Sequence, residues 1–327
     1  MKLPRRKFLH LATCAAALPA ASRIAWAQAY PTRPVRIIVP YATGGQTDTV
    51  ARLLAQKLSE RLGKQFFVEN VPGASGNIGM GRAAHAAADG YTLMAIDATL
   101  FVVNPSVFIK VPYDPFKDFD AISLPVTTTT VLLVHPSLPV RSVKDLVALI
   151  KVNPGKYSYA SAGIGSPAHL IAELFRVALR LDLVHVPFNG GGPAITSTLG
   201  GHTAIAFGSP ASSVSQIKQG GLRALAVASR TRLAALPDVP TMAESGFPDI
   251  ECDSRAGIVA PVGTPRDTIA LLNREIGSLV VLPDVKERLA AFGFEPVATT
   301  AEDSARLLSV ESAKWAKVIR EAGIRAE

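Results

Sequence analysis

Cysteine and aromatic residues are scarce in this sequence. Its 327 residues include two cysteines, Cys14 and Cys252, and only 6% of them are aromatic. Because Cys14 lies in an N-terminal segment that we expect to be removed, one cysteine is left and an internal disulfide is excluded. Beyond that segment, no run approaches the ~18 consecutive apolar residues of a membrane-spanning helix. We therefore predict a chain that folds on its hydrophobic core alone, without a membrane span.

The common catalytic and metal-binding motifs are also missing. Gly44-Gly45 lacks the Gly-Lys-Ser/Thr ending of a Walker A loop, and there is no His-Glu-x-x-His and no Cys-x-x-Cys. Residues 73–77 miss the Gly-x-Ser-x-Gly pattern of a nucleophile elbow by one position. His169 and Glu173 have the i, i+4 spacing of a metal-ligand pair, but no third ligand is evident. We predict no catalytic residue, no metal site and no cofactor, and a hydrolase is the less favoured alternative.

The positive charge of the chain is concentrated at its N-terminus. Residues 1–27 contain five basic residues and no acidic one, so removing them lowers the net charge from +8 to +3. The remaining basic residues form no patch interleaved with aromatic residues. We therefore predict no nucleic-acid binding.

The same N-terminal segment has the three parts of an export signal. An arginine pair is followed by Phe8-Leu9, by an alanine-rich apolar stretch over residues 11–21, and by a small-x-small cleavage site that ends at Ala27. An arginine pair followed by Phe-Leu favours the Tat route, and the Sec route stays open. We predict a cleaved signal over residues 1–27, cleavage near Ala27 and a periplasmic mature protein.

The most informative stretch is a glycine turn between a strand and a helix. Residues 35–39 read as a buried strand, and apolar residues at helical spacing over residues 49–62 predict a helix. The turn between them, from Tyr41 to Asp48, contains Gly44 and Gly45. Such a turn directs free backbone N–H groups to one point, where the helix dipole adds partial positive charge. The pattern predicts an anion site that needs no charged side chain.

Strand and helix patterns alternate along the rest of the chain, which predicts a parallel sheet covered by helices on both faces. The second half has two further strand–glycine–helix turns, over residues 158–167 and 186–193. Ligands of α/β sheets bind beyond the carboxyl ends of the strands. We therefore predict an α/β chain with two lobes and a cleft that closes on a small anion.

Several short motifs resemble those of one family. They occur in order over essentially the whole chain after the export signal, at residues 40–52, 68–79, 88–93, 113–119, 165–170, 186–193, 236–241 and 260–265. Each motif is weakly specific alone; together they resemble the Bug family, the solute-binding proteins of tripartite tricarboxylate transporters. The resemblance implies a type II periplasmic-binding-protein fold, with two α/β lobes joined by a two-strand hinge and a ligand cleft between them.

The resemblance also implies a division of the chain and a function. Residues 28–127 and 251–327 would form lobe 1, and residues 128–250 lobe 2. A monomer would capture a small carboxylate (a di- or tricarboxylate, an aromatic acid or an acidic amino acid) and deliver it to the membrane subunits of the transporter. A periplasmic sensor that presents its ligand to a signalling receptor is the alternative. The matching ligand-binding positions are Tyr41, Thr43, Gly44, Gly45, Thr47, Asp48, Ser161, Gly163, Gly165, Ser166, His169, Phe188, Asn189 and Gly190.

Two of these positions have more than one interpretation. Asp48 is expected to cap the N-terminus of its helix, and the alternative is that it receives a ligand ammonium group. His169 is expected to donate a hydrogen bond near the cleft or to pack locally.

Two segments depart from the family's pattern. Arg255 stands where the family usually carries Trp, two residues before Gly257, and residues 97–101 replace a loop of small residues. Both segments are expected to border the cleft near the hinge. We predict that Arg255 contacts a ligand carboxylate, and that Asp97 orients Arg255 or binds an amino group. The alternative is a solvated Arg255 and an unrelated Asp97.

Overall fold

The computed structural model describes residues 30–322 and 324–325. The predicted export signal and its cleavage site lie outside the described residues. In chain order the elements are β1 (Val35–Val39), α1 (Gln46–Leu62), β2 (Phe66–Asn70), α2 (Asn77–Ala84), β3 (Thr92–Asp97), α3 (Ala98–Val107), β4 (Phe119–Thr129), β5 (Val131–Val134), α4 (Val143–Lys151), β6 (Ser158–Ser161), α5 (Pro167–Ala178), β7 (Val184–Pro187), α6 (Gly191–Leu199), β8 (Ile205–Gly208), α7 (Pro210–Lys218), β9 (Arg223–Val227), β10 (Asp253–Pro261), α8 (Arg266–Val280), α9 (Pro283–Ala291), β11 (Glu295–Pro296) and α10 (Ala301–Ala322).

The first sheet has six strands in the order β11-β4-β10-β3-β1-β2. Strand β1 is parallel to β2 and β3, and all of its side chains except Arg36 are buried, as expected of a strand covered on both faces. Helix α1 buries an apolar stripe that includes Val50, Leu54 and Leu58. It ends at Gly63, whose φ of 67° is the left-handed conformation typical of a glycine at a helix C-terminus.

The second sheet has five strands in the order β7-β6-β8-β5-β9. Strand β6 is parallel to β7 and β8, whereas β5 is antiparallel to β8 and β9. In the first sheet, β10 is likewise antiparallel to β3 and β4. The predicted α/β class is confirmed, and the predicted parallel pairing is found in only part of each sheet. Both sheets are mixed. Each contains strands from the two segments that connect the sheets, and these two segments run in opposite directions.

Two connections between the sheets lie side by side. Strand β4 leads through Thr130 into β5, and β10 returns the chain to the first sheet with Asp253 opposite Thr129. Between them, the N–H group of Ala228 donates to the carbonyl of Thr130 at 2.8 Å, and the N–H group of Cys252 donates to the carbonyl of Ala228 at 3.0 Å. We call the part built on the first sheet lobe 1 and the part built on the second sheet lobe 2. The predicted division at residues 127/128 and 250/251 stays a proposal.

Two local differences from the sequence predictions affect the cleft. Helix α1 begins at Gln46, three residues before the predicted start, because Gly45 is extended and takes the N-cap position. The segment that replaces the family's loop is the start of helix α3. The Asp97 carboxylate caps this helix by accepting the N–H groups of Thr99 and Leu100.

A candidate ligand site between the lobes

A cavity of about 50 Å³ lies between the two lobes, beside the connection through Thr130. Lobe 1 lines it with Tyr41, Gly45, Gln46, Thr47, Asp48, Asp97 and Leu100. Lobe 2 lines it with Ala162, Ser166, Pro167, Ala168, Gly190, Gly191, Phe207, Gly208 and Ser209. Because both lobes contribute, the cavity is complete only when the cleft is closed.

Some of the predicted site residues line the cavity, and others do not. Seven of them line it: Tyr41, Gly45, Thr47, Asp48, Asp97, Ser166 and Gly190. Two, Thr43 and Phe188, line a separate groove on the outer side of the lobe contact. The remaining seven line neither space: Gly44, Ser161, Gly163, Gly165, His169, Asn189 and Arg255.

Five helices begin at this cavity, namely α1, α3, α5, α6 and α7. The first N–H groups of a helix have no partner within the helix and need one elsewhere. The Asp97 carboxylate caps α3 and the Ser166 hydroxyl caps α5. In contrast, α1, α6 and α7 follow Gly45, Gly190 and Ser209, which make no side-chain cap. Helices α1 and α6 therefore present N–H groups to one small space. Helix α7 adds mainly its dipole end, because Pro210 has no N–H group and that of Ser212 donates to the carbonyl of Ser209 at 3.2 Å. The arrangement favours an anion.

The hydroxyl group of Tyr41 also lacks a partner. Its side chain is 6% exposed, and Oη is buried with no hydrogen bond within the described part of the chain. Burial, with a further contribution from Asp97, raises the pKa of Tyr41 well above its usual value, so the hydroxyl keeps its proton and is a donor. Leaving such a group unpaired costs about 1–3 kcal/mol. A ligand that accepts this proton would remove that cost.

The charge of the cavity is unusual for an anion site. Among the described residues, no lysine or arginine lines it, and its two ionisable acids are Asp48 and Asp97. Attraction for an anion therefore has to come from backbone N–H groups, hydroxyl groups and helix dipoles. Each uncapped helix N-terminus contributes about 0.3–1 kcal/mol, and up to ~2 kcal/mol where it is buried.

Asp48 holds the glycine turn together instead of capping α1. Its carboxylate accepts the N–H group of Gly44 at 3.1 Å, Nδ2 of Asn70 at 2.9 Å and Nε of Arg52 at 3.0 Å. The prediction that Asp48 is the N-cap was wrong, since Gly45 takes that position. The three bonds fix the turn that precedes α1 against β2, and so set the direction of the N–H groups at the cavity.

We expect Asp48→Asn to lower the free energy of unfolding by about 1.5–3 kcal/mol, because an amide cannot accept all three hydrogen bonds. The measurement is urea denaturation of the protein without ligand. Asp89→Asn is the control, because Asp89 pairs with Arg33 at the surface, where both side chains are at least 44% exposed, and such pairs contribute little. Equal losses in the two variants would contradict the role assigned to Asp48.

The glycine turns of the two lobes touch each other. The N–H group of Ala42 donates to the carbonyl of Asn189 across the lobe boundary at 3.0 Å. A Cβ at Gly190 would lie 3.1 Å from the backbone nitrogen of Ala42, and one at Gly192 would collide with the carbonyl oxygen of Thr43. These glycines are needed because two backbones meet here, not only because the turns are tight.

A second turn of lobe 2 makes a similar contact. Gly163 and Gly165 have φ values of 132° and 80°, which favour glycine. A Cβ at Gly163 would lie 3.0 Å from Oγ of Ser75, and one at Gly165 would lie 3.2 Å from Cγ1 of Val103. Both partners belong to lobe 1. The predicted turns around residues 163 and 190 therefore both close against lobe 1.

Two stacked histidines support this second turn from behind. The rings of His169 and His185 lie 4.1 Å apart, and Nε2 of His185 lies 2.7 Å from Oγ of Ser161. The N–H group of Gly165 donates to Nδ1 of His169 at 3.1 Å, so His169 accepts a hydrogen bond here and does not donate one. Burial lowers the pKa of His169 to about 4 and that of His185 to about 3. Both rings are neutral at pH 7.

The histidine pair makes the protein sensitive to mild acid. Both folded-state pKa values lie below the unfolded value of about 6.5. The unfolded chain therefore binds more protons below pH 6.5, and stability is lost as the pH falls from about 6.5 towards 4. Between pH 7 and pH 5, we expect the wild type to lose about 2–4 kcal/mol relative to the His169→Gln/His185→Gln variant. Urea denaturation at both pH values measures this, and any contribution of Asp97 cancels because both proteins contain it. Parallel losses in the two proteins would contradict the assignment.

Asp97 and Arg255 are not paired. In β10, Ala256 lies opposite Asp97, whereas Arg255 lies opposite Thr127 of β4. Because successive side chains of a strand point to opposite faces, Arg255 points away from the face that carries Asp97. The prediction that Asp97 orients Arg255 was therefore wrong. Nη1 of Arg255 is buried without a hydrogen-bond partner among the described residues, and its contact with a ligand stays a prediction.

Several residues of the cavity were not predicted from the sequence. The amide of Gln46 donates to Oδ2 of Asp97 and joins α1 to the start of α3. Gln46 directly follows the predicted glycine pair, and its place in that turn could have identified it as a cavity residue. Ser209 precedes Pro210, the combination typical of an N-cap and a first helical residue. Gly191 and Leu100 lie in the segments 186–193 and 97–101 that were expected at the cleft, although neither residue was singled out, and Phe207 carried no comparable signal.

Within residues 30–322 and 324–325, no group of three or more His, Cys, Asp or Glu residues is placed to hold a metal ion. No helix of that part of the chain is long and apolar enough to cross a membrane.

The two sheets with a cavity between them are the architecture of a two-lobed binding protein. The chain belongs to the tripartite tricarboxylate transporter family receptors, whose family model matches residues 50–324. It is 37% identical over 300 residues to Protein BugT of Bordetella pertussis, covering 91% of this chain and 92% of BugT. The predicted Bug-family resemblance is confirmed.

Solved structures agree with this assignment. The periplasmic binding protein BugD is 34% identical, with a TM-score of 0.87 over 91% of this chain and 100% of BugD. R. palustris Rpa4515, solved with adipate, is also 34% identical, with a TM-score of 0.88 over 90% of this chain and 99% of that chain. The predicted periplasmic-binding-protein fold is confirmed.

Proposed function

We propose that this protein captures a small carboxylate in the cavity between its lobes and delivers it, as a periplasmic monomer, to the membrane subunits of a tripartite tricarboxylate transporter. One observation carries the proposal. Three helices without caps, α1, α6 and α7, begin at a cavity in which the hydroxyl of Tyr41 also has no partner. A carboxylate, with two oxygens and about four acceptor positions, can take these donors together.

Closure of the lobes explains how the ligand is retained. The donors of α1 and Tyr41 lie in lobe 1, whereas those of α6 lie in lobe 2. A carboxylate that binds one lobe therefore gains the donors of the other lobe only on closure, and this difference in affinity shifts the population to the closed form. Because the outer groove is also lined by both lobes, its shape would differ between the open and the closed protein. The membrane subunits could recognise this difference.

The serine–histidine pair behind the cavity does not favour an enzyme. Oγ of Ser161 lies 2.7 Å from Nε2 of His185, the distance of a nucleophile and its base. However, Ser161 is fully buried and lies outside the lining of the cavity. Of the serines that line the cavity, Ser166 accepts the N–H group of His169 at 3.1 Å and caps α5, and Oγ of Ser209 lies 3.1 Å from Oγ of Ser212. These contacts support binding without turnover.

A thermal-shift screen tests the proposal. The protein is unfolded and refolded to remove any copurified ligand, and then tested with adipate, malate, succinate, citrate, benzoate and glutamate. At a concentration of 100 Kd, a ligand stabilises by about 2.7 kcal/mol, so at least one acid should raise the midpoint by about 5 °C or more. A well-folded protein that no carboxylate stabilises would contradict the proposal.

Gene deletion separates transport from the alternative of sensing. If the protein serves a transporter, deletion lowers uptake of its ligand, and the gene restores that uptake. If it serves a signalling receptor, uptake is unchanged and the response of gene expression to the ligand is lost. In the strain that carries the restored gene, the mass of the exported protein tests the expectation that the mature chain begins near Gln28.

A further inference from the structure

Of the two acids that line the cavity, Asp48 is paired with Arg52, and Asp97 is the one whose charge opposes an anion without such a partner. Its side chain is 3% exposed and lines the cavity that the proposed function assigns to a carboxylate. In the described part of the chain, no Lys, Arg or His forms a hydrogen bond or ion pair with it. A buried carboxylate without a cationic partner is costly to keep ionised. The site therefore needs either a proton on Asp97 or a cation from the ligand.

Within the described residues, the hydrogen-bond partners of Asp97 are neutral, and Lys314 of α10 acts on Cys252 without being among the causes of the raised pKa of Asp97. Helix α3 gives it the N–H groups of Thr99 and Leu100, and β10 gives it the hydroxyl of Ser254. The ionisable groups that affect it or are affected by it are Tyr41, Cys252 and, from α10, Glu311. None of these groups carries a positive charge.

The two oxygens of Asp97 are used unequally. Oδ1 accepts the N–H groups of Thr99 at 3.0 Å and Leu100 at 3.1 Å, which fill its two acceptor positions, and the hydroxyl of Ser254 lies 3.4 Å away. Oδ2 accepts only the amide of Gln46. Since a carboxylate oxygen has two acceptor positions, Oδ2 keeps one free for a proton, while Oδ1 continues to cap α3.

We propose that Asp97 takes up one proton from solvent when the site binds a ligand carboxylate, and that it then donates a hydrogen bond from Oδ2 to the ligand. The inference rests on the proposed function and adds the coupling of capture to proton uptake. No bond of the ligand is broken; the proton adds to Oδ2 and returns to solvent on release. The physical reason is that two carboxylates in one small, buried space cannot both stay ionised.

The properties of the free site favour such a coupling near neutral pH. Burial, partly offset by the bonds from Leu100, Thr99 and Ser254, raises the pKa of Asp97 to about 7. A bound anion would raise this pKa further. The affinity for an anion should therefore be nearly constant below the free pKa and should weaken as the pH rises above it.

Isothermal titration with adipate and malate, both mainly dianions between pH 6 and pH 8, tests the coupling. At pH 7.5, the heats in phosphate and in Tris buffer should differ by an amount that corresponds to roughly 0.5–1 proton taken up per ligand. The dissociation constant should be about tenfold larger at pH 8 than at pH 6. In Asp97→Asn, which keeps a good N-cap residue, proton uptake should vanish and the affinity should not depend on pH.

The outcomes separate this inference from the proposed function. If neither these acids nor any other acid of the panel binds, the proposed function fails. Binding without proton uptake, or uptake that persists in Asp97→Asn, overturns the role of Asp97 alone. An affinity that rises with pH would mean that Asp97 is ionised in the complex and pairs with a cation. As a check that needs no variant, the ¹³C resonance of the labelled carboxyl group should move to the protonated position when ligand is added at pH 7.5.

Discussion

Gly192→Ala is expected to weaken binding of the ligand by tenfold or more and to keep the lobes apart. The added Cβ would collide with the carbonyl oxygen of Thr43 in lobe 1. This oxygen is part of the backbone of the glycine turn that Asp48 fixes, so it cannot rotate away as a side chain could. Each 1.4 kcal/mol of strain in the closed form costs a factor of about ten in affinity.

Lobe 2 itself should tolerate this substitution. Gly192 lies in the first turn of α6 with an ordinary backbone conformation, and alanine is favoured over glycine in a helix by about 1 kcal/mol. The defect is therefore expected in closure and not in folding. Gly277→Ala is the control, because a Cβ at this position of α8 meets nothing within 4 Å.

Small-angle scattering and titration measure both parts of this prediction. The wild type and Gly277→Ala should become more compact when ligand is added, and Gly192→Ala should not. If Gly192→Ala closes and binds as the wild type does, the two glycine turns do not meet in the liganded protein.

Tyr41→Phe is expected to weaken carboxylate binding by about 10- to 100-fold without lowering the stability of the free protein. In the free protein, Oη of Tyr41 has no partner among the described residues, so its removal breaks no bond. In the complex, it would donate to a charged acceptor, and such hydrogen bonds contribute about 1.5–3 kcal/mol. The substitution is therefore expected to weaken binding of the ligand and to leave the stability of the free protein undiminished.

Tyr113→Phe provides the matched control. Tyr113 is as buried as Tyr41, but its hydroxyl donates to the carbonyl of Phe101 at 2.9 Å, and it does not line the cavity. This variant should lose about 1 kcal/mol of stability and keep the affinity of the wild type. Denaturation and titration of both variants give the four values needed. Equal affinities in Tyr41→Phe and the wild type would remove Tyr41 from the site.

Much of the site could be predicted because it is built from local patterns. A strand, a glycine pair and a helix occupy adjacent positions in the sequence, so the turn from Tyr41 to Asp48 can be recognised without knowledge of the rest of the fold. The turns around Ser166 and Gly190 follow the same pattern. All three bring residues to the cavity.

The predictions that were wrong or missing depend on which face of the sheet a strand residue occupies, or on contacts between residues far apart in the sequence. Whether Arg255 or Ala256 shares a face with Asp97 depends on the pairing of β10 with β3, and a shift of one residue reverses the answer. Helix α7 has few apolar residues, so the periodicity that identified other helices is weak there. The position of Gln46 beside Asp97 joins residues that are 51 positions apart, and no local pattern records such a contact.

The central claim is that a carboxylate is held between the two lobes by helix N-termini and not by a basic side chain. A crystal structure with the most stabilising acid of the screen tests it most directly. The claim predicts a carboxylate in the cavity, bonded to Oη of Tyr41 and to N–H groups at the first turns of α1 or α6, directly or through one water. An acid bound in the outer groove beside Thr43, or one held mainly by Arg255, would contradict it.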